Sequence, residues 1–215
     1  MSDTPNAGIF ASTAPATLIH PALFEAKAFK RNGKDVGDPK FSGAFVLAAD
    51  HPDVAALKAK ALGVARAKWP GIDPNSLAWP WAKGDVVADK AKAKNKNAEY
   101  ARGKIVVTAR SKFQPRLGGL ESGKIVDYET DAAKALAKSK FYFGTDALFE
   151  VNFVAYDAIR DGEKNGVNAY LNQVVTLNRG ERLAGGPSPS ETFKGYVGTS
   201  TDEDPTSGAD QGGDW

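Results

Sequence analysis

Apolar and polar residues alternate along several segments of the chain, a pattern typical of half-buried β-strands. Residues 41–47, FSGAFVL, place two phenylalanines and a leucine on one face. The same alternation predicts strands at residues 17–19, 103–111, 147–156 and 167–177. The last two flank a turn-rich stretch at 161–166, which predicts that they pair antiparallel. Pro21 is expected to interrupt the first strand, and residues 31–40 are expected to form turns.

Two segments show helical spacing instead. Between Asp50 and Trp69, apolar residues recur with the period of a helix at Val54, Leu57, Ala61, Leu62 and Ala65. Asp50 is the predicted N-cap, and the Pro-Gly pair after Trp69 should end the helix. A short second helix is predicted at residues 131–138.

Two other stretches are predicted to be irregular. In residues 89–98 lysines alternate with Ala and Asn and leave no apolar stripe to bury, so we expect a mobile basic loop. Gly118 and Gly119 are adjacent, which favours a turn after the strand that precedes them.

These elements predict a mainly β domain with long loops. About five strands joined mostly by short turns, with one main helix after the second strand, favour a small β-barrel with helical insertions. A β-sandwich stays open, because strand counting does not separate the two. The 215 residues, 42% of them hydrophobic, suit one domain with a substantial core. We expect a flexible leader at 1–14, one folded domain at 15–184 and a disordered tail at 185–215.

Composition argues against several classes of function. Cysteine is absent, which excludes disulfides, thiolate nucleophiles and cysteine-ligated metal sites. His20 and His51 do not have metal-ligand spacing, and the phosphate-loop, nucleophile-elbow and dinucleotide-binding motifs do not occur. We therefore expect a protein that is not an enzyme and needs no cofactor or metal. The sequence contains no secretion signal and no membrane-spanning run, so the cytoplasm is the expected compartment.

Charge is distributed unevenly along the chain. The sequence has 28 basic and 26 acidic residues, yet residues 201–215, TDEDPTSGADQGGDW, contain five acids and no base. The remainder has 28 basic against 21 acidic residues, formally +7. The acidic segment is too polar to bury an apolar surface, which predicts a disordered tail on a basic body. Such a polyanion is expected to occupy a basic groove of the body until another polyanion displaces it.

Basic and aromatic residues are interleaved between Trp79 and Arg116. Cations that follow phosphates, together with rings that stack on unpaired bases, are what sequence-independent binding of a single strand requires. We assign phosphate contacts to Lys83, Lys104, Arg110, Lys112 and Arg116. We assign base stacking to Trp81, Tyr100, Phe113 and Tyr142. For each aromatic residue taken singly, packing in the core is the alternative. Phe113 is the strongest stacking candidate, because it follows a strand and lies between the basic residues Lys112 and Arg116.

Five segments of the chain together resemble one known family. They read FSGAFVL, DVAALKAKALGVARAKW, YARGKIVVTARSKFQPRL, SKFYFGTDALFEVNFVAYD and GVNAYLNQVVTLNRGERLAGG. Over residues 17–186 this order is similar to that of the single-stranded DNA-binding proteins of tailed bacteriophages. The resemblance implies an OB-fold, which is a five-stranded Greek-key barrel. It also implies sequence-independent binding of single-stranded DNA (ssDNA) in phage DNA replication or recombination, inside the infected bacterial cell.

The acidic tail resembles a wider pattern among replication proteins that bind ssDNA. In that pattern an acidic C-terminus ends in a hydrophobic residue, more often Phe than Trp, which docks partner enzymes. Asp214 and Trp215 match it and are expected to bind phage or host replication proteins.

Two other classes of function stay open. A phage structural or assembly protein with a β-sandwich fold would have no affinity for nucleic acid and would form a defined oligomer. A nucleic-acid enzyme would need a compact carboxylate cluster in the folded body, which the sequence does not reveal. Self-association of an ssDNA-binding protein is a further open question.

Overall fold

The computed structural model describes residues 8–31, 34–159 and 162–183. Nine strands occur in these ranges: β1 (Ile9–Ala11), β2 (Ala16–Arg31), β3 (Lys34–Leu47), β4 (Trp81–Lys83), β5 (Ile105–Ser111), β6 (Arg116–Glu121), β7 (Lys124–Asp127), β8 (Asp146–Tyr156) and β9 (Gly166–Thr176). The helices of the same ranges are α1 (Asp53–Lys68), α2 (Gly84–Lys92) and α3 (Asp131–Ala137). The chain is therefore mainly β, as predicted, and its main helix follows the predicted strand at 41–47.

The nine described strands form one open sheet. Their order is β4-β5-β3-β2-β8-β9-β6-β7, and β1 pairs with β8. Strand pairs are antiparallel except for β6 with β9. The antiparallel pairing predicted for residues 147–156 and 167–177 is confirmed by β8 and β9. The predicted five-stranded closed barrel is not confirmed, because this sheet has nine strands and the described ladders do not close it.

The core lies mainly between the sheet and α1. Leu57, Ala61 and Ala65 of α1 are buried against the sheet in the main cluster. Alternate residues of β3 belong to different clusters: Phe45 lies in the main core, whereas Ala44 lies in a smaller one with Ile19 and Val106. This part of β3 is therefore buried on both faces, as expected for a central strand.

The hairpin of β2 and β3 is longer than the pattern predicted. β2 continues through Pro21, because His20 takes a positive φ of 49° and the register shifts between Ile19 and Ala22. Such a bulge tolerates the missing N–H of proline. The turns predicted for 31–40 were also wrong, since β3 begins at Lys34. Residues 32 and 33 lie outside the described ranges.

The basic loop predicted for residues 89–98 is partly helical. α2 covers residues 84–92 and buries Gly84 and Ala88, one helical turn apart. A Cβ at Gly84 would collide with the carbonyl oxygen of Ala101, so glycine is needed for this close approach. Gly84 and Ala88 form the buried side of α2, which therefore needs no stripe of large apolar residues, and Lys90 and Lys92 are exposed.

Three further predictions differ from the structure. Gly118 and Gly119 lie within β6, where the ring of Tyr128 occupies the space that a Cβ at Gly119 would need. The segment predicted to be a flexible leader, 1–14, includes β1, which pairs with β8. Pro52, not Asp50, occupies the N-cap position of α1.

The acidic segment 201–215, with Asp214 and Trp215, lies outside the described residues, as do residues 1–7. No helix in the described part of the chain is long and apolar enough to cross a membrane.

Candidate nucleic-acid interface

A large groove lies between the β2–β3 hairpin and the connection from β8 to β9. Its volume is about 890 Å³, and we call it the hairpin groove. Polar and charged residues line most of it: His20, Lys27, Asp38, Lys40, Ser42, Arg110 and Glu163. Ile159 stands at its rim on the β8–β9 connection and is 93% exposed. The groove is therefore open to solvent.

A second groove of about 350 Å³ lies between β4 and the start of β9, and we call it the tryptophan groove. Trp79 and Trp81 stack with ring centroids 4.8 Å apart and planes within 15°. The Trp79 indole N–H donates to the carbonyl oxygen of Pro74 at 3.0 Å, which fixes that ring. Tyr156 and Tyr170 line the same groove from β8 and β9. Lys40 and Arg110 line both grooves, so the two adjoin.

Among the residues that line the hairpin groove, three cations (Lys27, Lys40 and Arg110) outnumber two carboxylates (Asp38 and Glu163). Lys27 and Lys40 are exposed and lie directly opposite each other in the β2–β3 ladder. Within the described ranges neither makes an ion pair. Asp38, at the rim, pairs with the Lys112 ammonium at 3.3 Å and is partly neutralised. Like charges opposed in a ladder are unfavourable unless an anion lies between them.

His20 contributes a neutral ring to the hairpin groove. Its imidazole packs edge-on against Phe143, with ring centroids 4.7 Å apart. Burial lowers the pKa of His20, and the nearby Lys96 ammonium lowers it further. The imidazole is therefore uncharged at neutral pH.

Of the nine residues predicted to bind DNA, the structure brings Trp81 and Arg110 together in the tryptophan groove. Lys83 and Lys104 line a different cavity on the other side of Trp81. Lys112 makes the ion pair with Asp38 at the rim of the hairpin groove, and the neighbouring Phe113 is 82% exposed.

The remaining three predicted residues lie apart from both grooves. Tyr100 packs against the smaller core cluster, edge-on to Phe143, and burial raises the pKa of its hydroxyl. The Tyr142 hydroxyl donates to the carbonyl oxygen of Gly180 at 2.8 Å, and the Arg182 guanidinium covers its ring at 4.3 Å. Arg116 lines a separate cavity beside Tyr128.

The described ranges contain no group of three or more His, Asp or Glu residues that could hold a metal ion.

Comparison with known proteins identifies the family. The sequence profile described as "Enterobacter phage Enc34, ssDNA-binding protein" matches residues 12–206, most of the chain. The chain belongs to this phage ssDNA-binding protein family. None of the curated proteins searched matches it.

Solved structures of the Enc34 protein have the same fold as this chain. The Enc34 protein in complex with ssDNA superposes with a TM-score of 0.59 at 17% identity, over 83% of this chain and 90% of that one. A second structure of the Enc34 protein gives a TM-score of 0.57 at 16% identity, over 87% of this chain and 90% of that one. Its C-terminal truncation gives 0.58 at 18% identity, over 82% and 89%.

Five Lys, Trp and Tyr residues that line the two grooves are not among the nine predicted residues: Lys27, Lys40, Trp79, Tyr156 and Tyr170. Tyr170 was not assigned to binding, although the buried Ala169 and Leu171 on either side of it indicate that it points outward from β9. Tyr156, at the end of β8, was not assigned to binding either. Lys27 and Lys40 carried no local signal, because they meet only through the register of β2 and β3.

Proposed function

We propose that this protein binds ssDNA without sequence preference along the hairpin and tryptophan grooves. One observation carries the proposal: the adjoining grooves combine exposed cations with four aromatic rings. The cations are Lys27, Lys40 and Arg110, and the rings are Trp79, Trp81, Tyr156 and Tyr170. Cations attract the phosphates and release counterions, while the rings stack on unpaired bases.

The strand arrangement supports an OB-type core for this site. The four strands β8, β2, β3 and β5 are adjacent in that order, which is the Greek-key order 4-1-2-3, and β9 follows β8 as a fifth strand. An OB-fold binds oligonucleotides on its second and third strands, between the loop joining strands 1 and 2 and the loop joining strands 4 and 5. In this chain those loops are the β2–β3 hairpin and the β8–β9 connection, which border the hairpin groove.

We further propose that Lys112 and Phe113 extend the path beyond the hairpin groove. The Lys112–Asp38 ion pair ties the end of β5 to the groove rim, and the adjacent Phe113 ring is free to stack on a base. The Tyr100 ring packs against Phe143, and Tyr142 contacts Gly180 and Arg182. We therefore assign structural roles to both tyrosines.

The acidic segment 201–215 has two roles in this proposal. Its five acids compete with DNA for the grooves, and Asp214 with Trp215 recruits phage or host replication proteins. The protein would thus coat and protect ssDNA during phage DNA replication or recombination in the cytoplasm of the infected cell.

Tryptophan fluorescence titration with oligo-dT, and with duplex DNA of equal length, tests the proposal. We expect oligo-dT to quench the groove tryptophans and to bind more tightly than the duplex. Tyr170→Ala should lose about 5- to 150-fold in affinity, the equivalent of 1 to 3 kcal/mol for one stacked base. Leu136→Ala is the control, because Leu136 is 82% exposed on α3 and lines neither groove.

Thermal unfolding of both variants establishes that the fold is retained. Equal or tighter duplex binding would refute the ssDNA preference. Absence of any nucleic-acid affinity together with a defined oligomer would favour the structural or assembly protein instead.

A further inference from the structure

A cavity of about 310 Å³ lies beside the tryptophan groove, and we call it the lysine pocket. Three exposed lysines from three different parts of the fold line it: Lys58 of α1, Lys83 at the end of β4 and Lys104 just before β5. Ala49, Ala82 and Ile105 add apolar surface. Three cations around one concave site form an arrangement suited to an anion.

The lysine pocket adjoins the tryptophan groove across β4. Trp81 and Ala82 line both cavities. The hairpin groove meets the tryptophan groove at Lys40 and Arg110. The hairpin groove, the tryptophan groove and the lysine pocket therefore adjoin in that order, and Trp81 lies between the last two.

The lysines of the pocket are available to an external anion. In the described part of the chain, Lys58, Lys83 and Lys104 make no ion pair. Asp85 is the carboxylate that lines the pocket, and it is already engaged. It accepts a hydrogen bond from the Gly103 N–H at 3.1 Å and lies 3.8 Å from the Arg102 guanidinium.

We propose that an ssDNA strand leaving the tryptophan groove crosses β4 over Trp81 and places its phosphates against Lys58, Lys83 and Lys104. The inference rests on the proposed function and adds a second section to the binding path. A short oligonucleotide fills the two grooves alone, whereas a longer one also reaches the lysine pocket. The pocket lysines therefore determine the occluded length and the salt dependence of long strands and leave short strands unaffected.

The test compares two triple variants on two lengths of DNA. One carries Lys58→Gln, Lys83→Gln and Lys104→Gln, and the control carries Lys60→Gln, Lys90→Gln and Lys94→Gln. The control lysines line none of the three cavities, and its change of charge is the same. The probes are oligo-dT of about 4 and about 16 nucleotides, the limits of OB-fold site sizes. Affinity is measured from about 0.05 to 0.5 M salt, on either side of physiological ionic strength.

For the long probe, the pocket variant should reduce the magnitude of the slope of log K against log salt by about 2, which is three contacts at about 0.7 each. Its affinity at about 0.1 M salt should fall roughly 100-fold relative to the control, whereas the short probe should bind both variants equally. A third variant with arginine at the three pocket positions should restore the slope, which separates loss of charge from loss of folding.

Three results would overturn the inference. Equal binding of the long probe by the pocket and control variants would remove the pocket from the path and leave the grooves intact. Equal weakening on both lengths would mean that the pocket lysines act through general charge. Failure of the unaltered protein to bind either probe would refute the proposed function itself.

Discussion

Lys27→Gln is expected to stabilise the free protein while weakening its binding to ssDNA. Lys27 and Lys40 lie directly opposite each other in the β2–β3 ladder, and both line the hairpin groove. Like charges in this position destabilise a sheet by about 0.2 to 1 kcal/mol. Replacing one of them with a neutral residue of similar length removes the repulsion, so the free energy of unfolding should rise by that amount.

The same substitution should remove one phosphate contact. Each phosphate contact with a single strand contributes about 0.7 to the magnitude of the slope of log K against log salt. If the variant and the unaltered protein bind equally at 1 M salt, the variant should therefore bind about fivefold more weakly at 0.1 M. The loss should fade as salt is raised, because both proteins then lose the electrostatic part of their affinity. Gains in stability combined with losses in binding are the signature of residues retained for function.

Urea denaturation without DNA and oligo-dT titration over a range of salt measure the two effects. Lys94→Gln is the control, since Lys94 is exposed and lines neither groove. Unchanged binding of Lys27→Gln at every salt concentration would refute the placement of phosphates between the two lysines. A loss of stability in the free protein would refute the repulsion.

Three further outcomes are expected. Asp53 is buried and accepts hydrogen bonds from the backbone N–H and the hydroxyl of Thr13. Burial raises the pKa of Asp53, but the hydrogen bonds lower it by more, so the pKa lies below its usual value. Asp53→Asn should therefore destabilise the protein by about 1.5 to 3 kcal/mol near neutral pH in urea denaturation. The difference in unfolding free energy between the two proteins should shrink as pH falls below about 4, because Asp53 is protonated at a higher pH in the unfolded chain than in the folded one. A difference that does not change with pH would contradict this. Phe113→Ala should weaken oligo-dT binding by about 1 to 3 kcal/mol with little change in thermal unfolding, because the ring is exposed; loss of folding would instead assign the ring to packing. Deleting residues 201–215 should tighten ssDNA binding at about 0.01 M salt and much less at about 0.15 M, where charges are screened; equal affinity with and without the segment would show that its acids do not compete.

The elements with a strong local period were predictable from the sequence. β8 and β9 alternate buried and more exposed residues, and their antiparallel pairing followed from the short connection between them. α1 was predicted from its apolar spacing to within a few residues. The β2–β3 hairpin was not, because its register shifts interrupt the alternation on which the prediction depends. α2 was missed because its buried side is made of Gly84 and Ala88, which carry almost no hydrophobic signal.

The candidate site was predictable only in part. A basic and aromatic stretch indicated nucleic acid, and Trp81 and Arg110 from that stretch do line the tryptophan groove. Tyr100, Arg116 and Tyr142 share the same chemistry yet lie elsewhere. Composition reports which residue types are present, but it does not report which surface they share.

The sequence by itself determined the mainly β class, the main helix and the separation of acidic charge into residues 201–215. These properties depend on periods of 2 and 3.6 residues or on charge counts, and both can be read within a short window. Only the tertiary structure decided which cations and rings line the same grooves. Lys27 lies opposite Lys40 through strand register, and Trp81 and Tyr170 line the same groove from different strands. Residues brought together in this way are distant along the chain, so the local pattern of hydrophobic residues does not predict their contact.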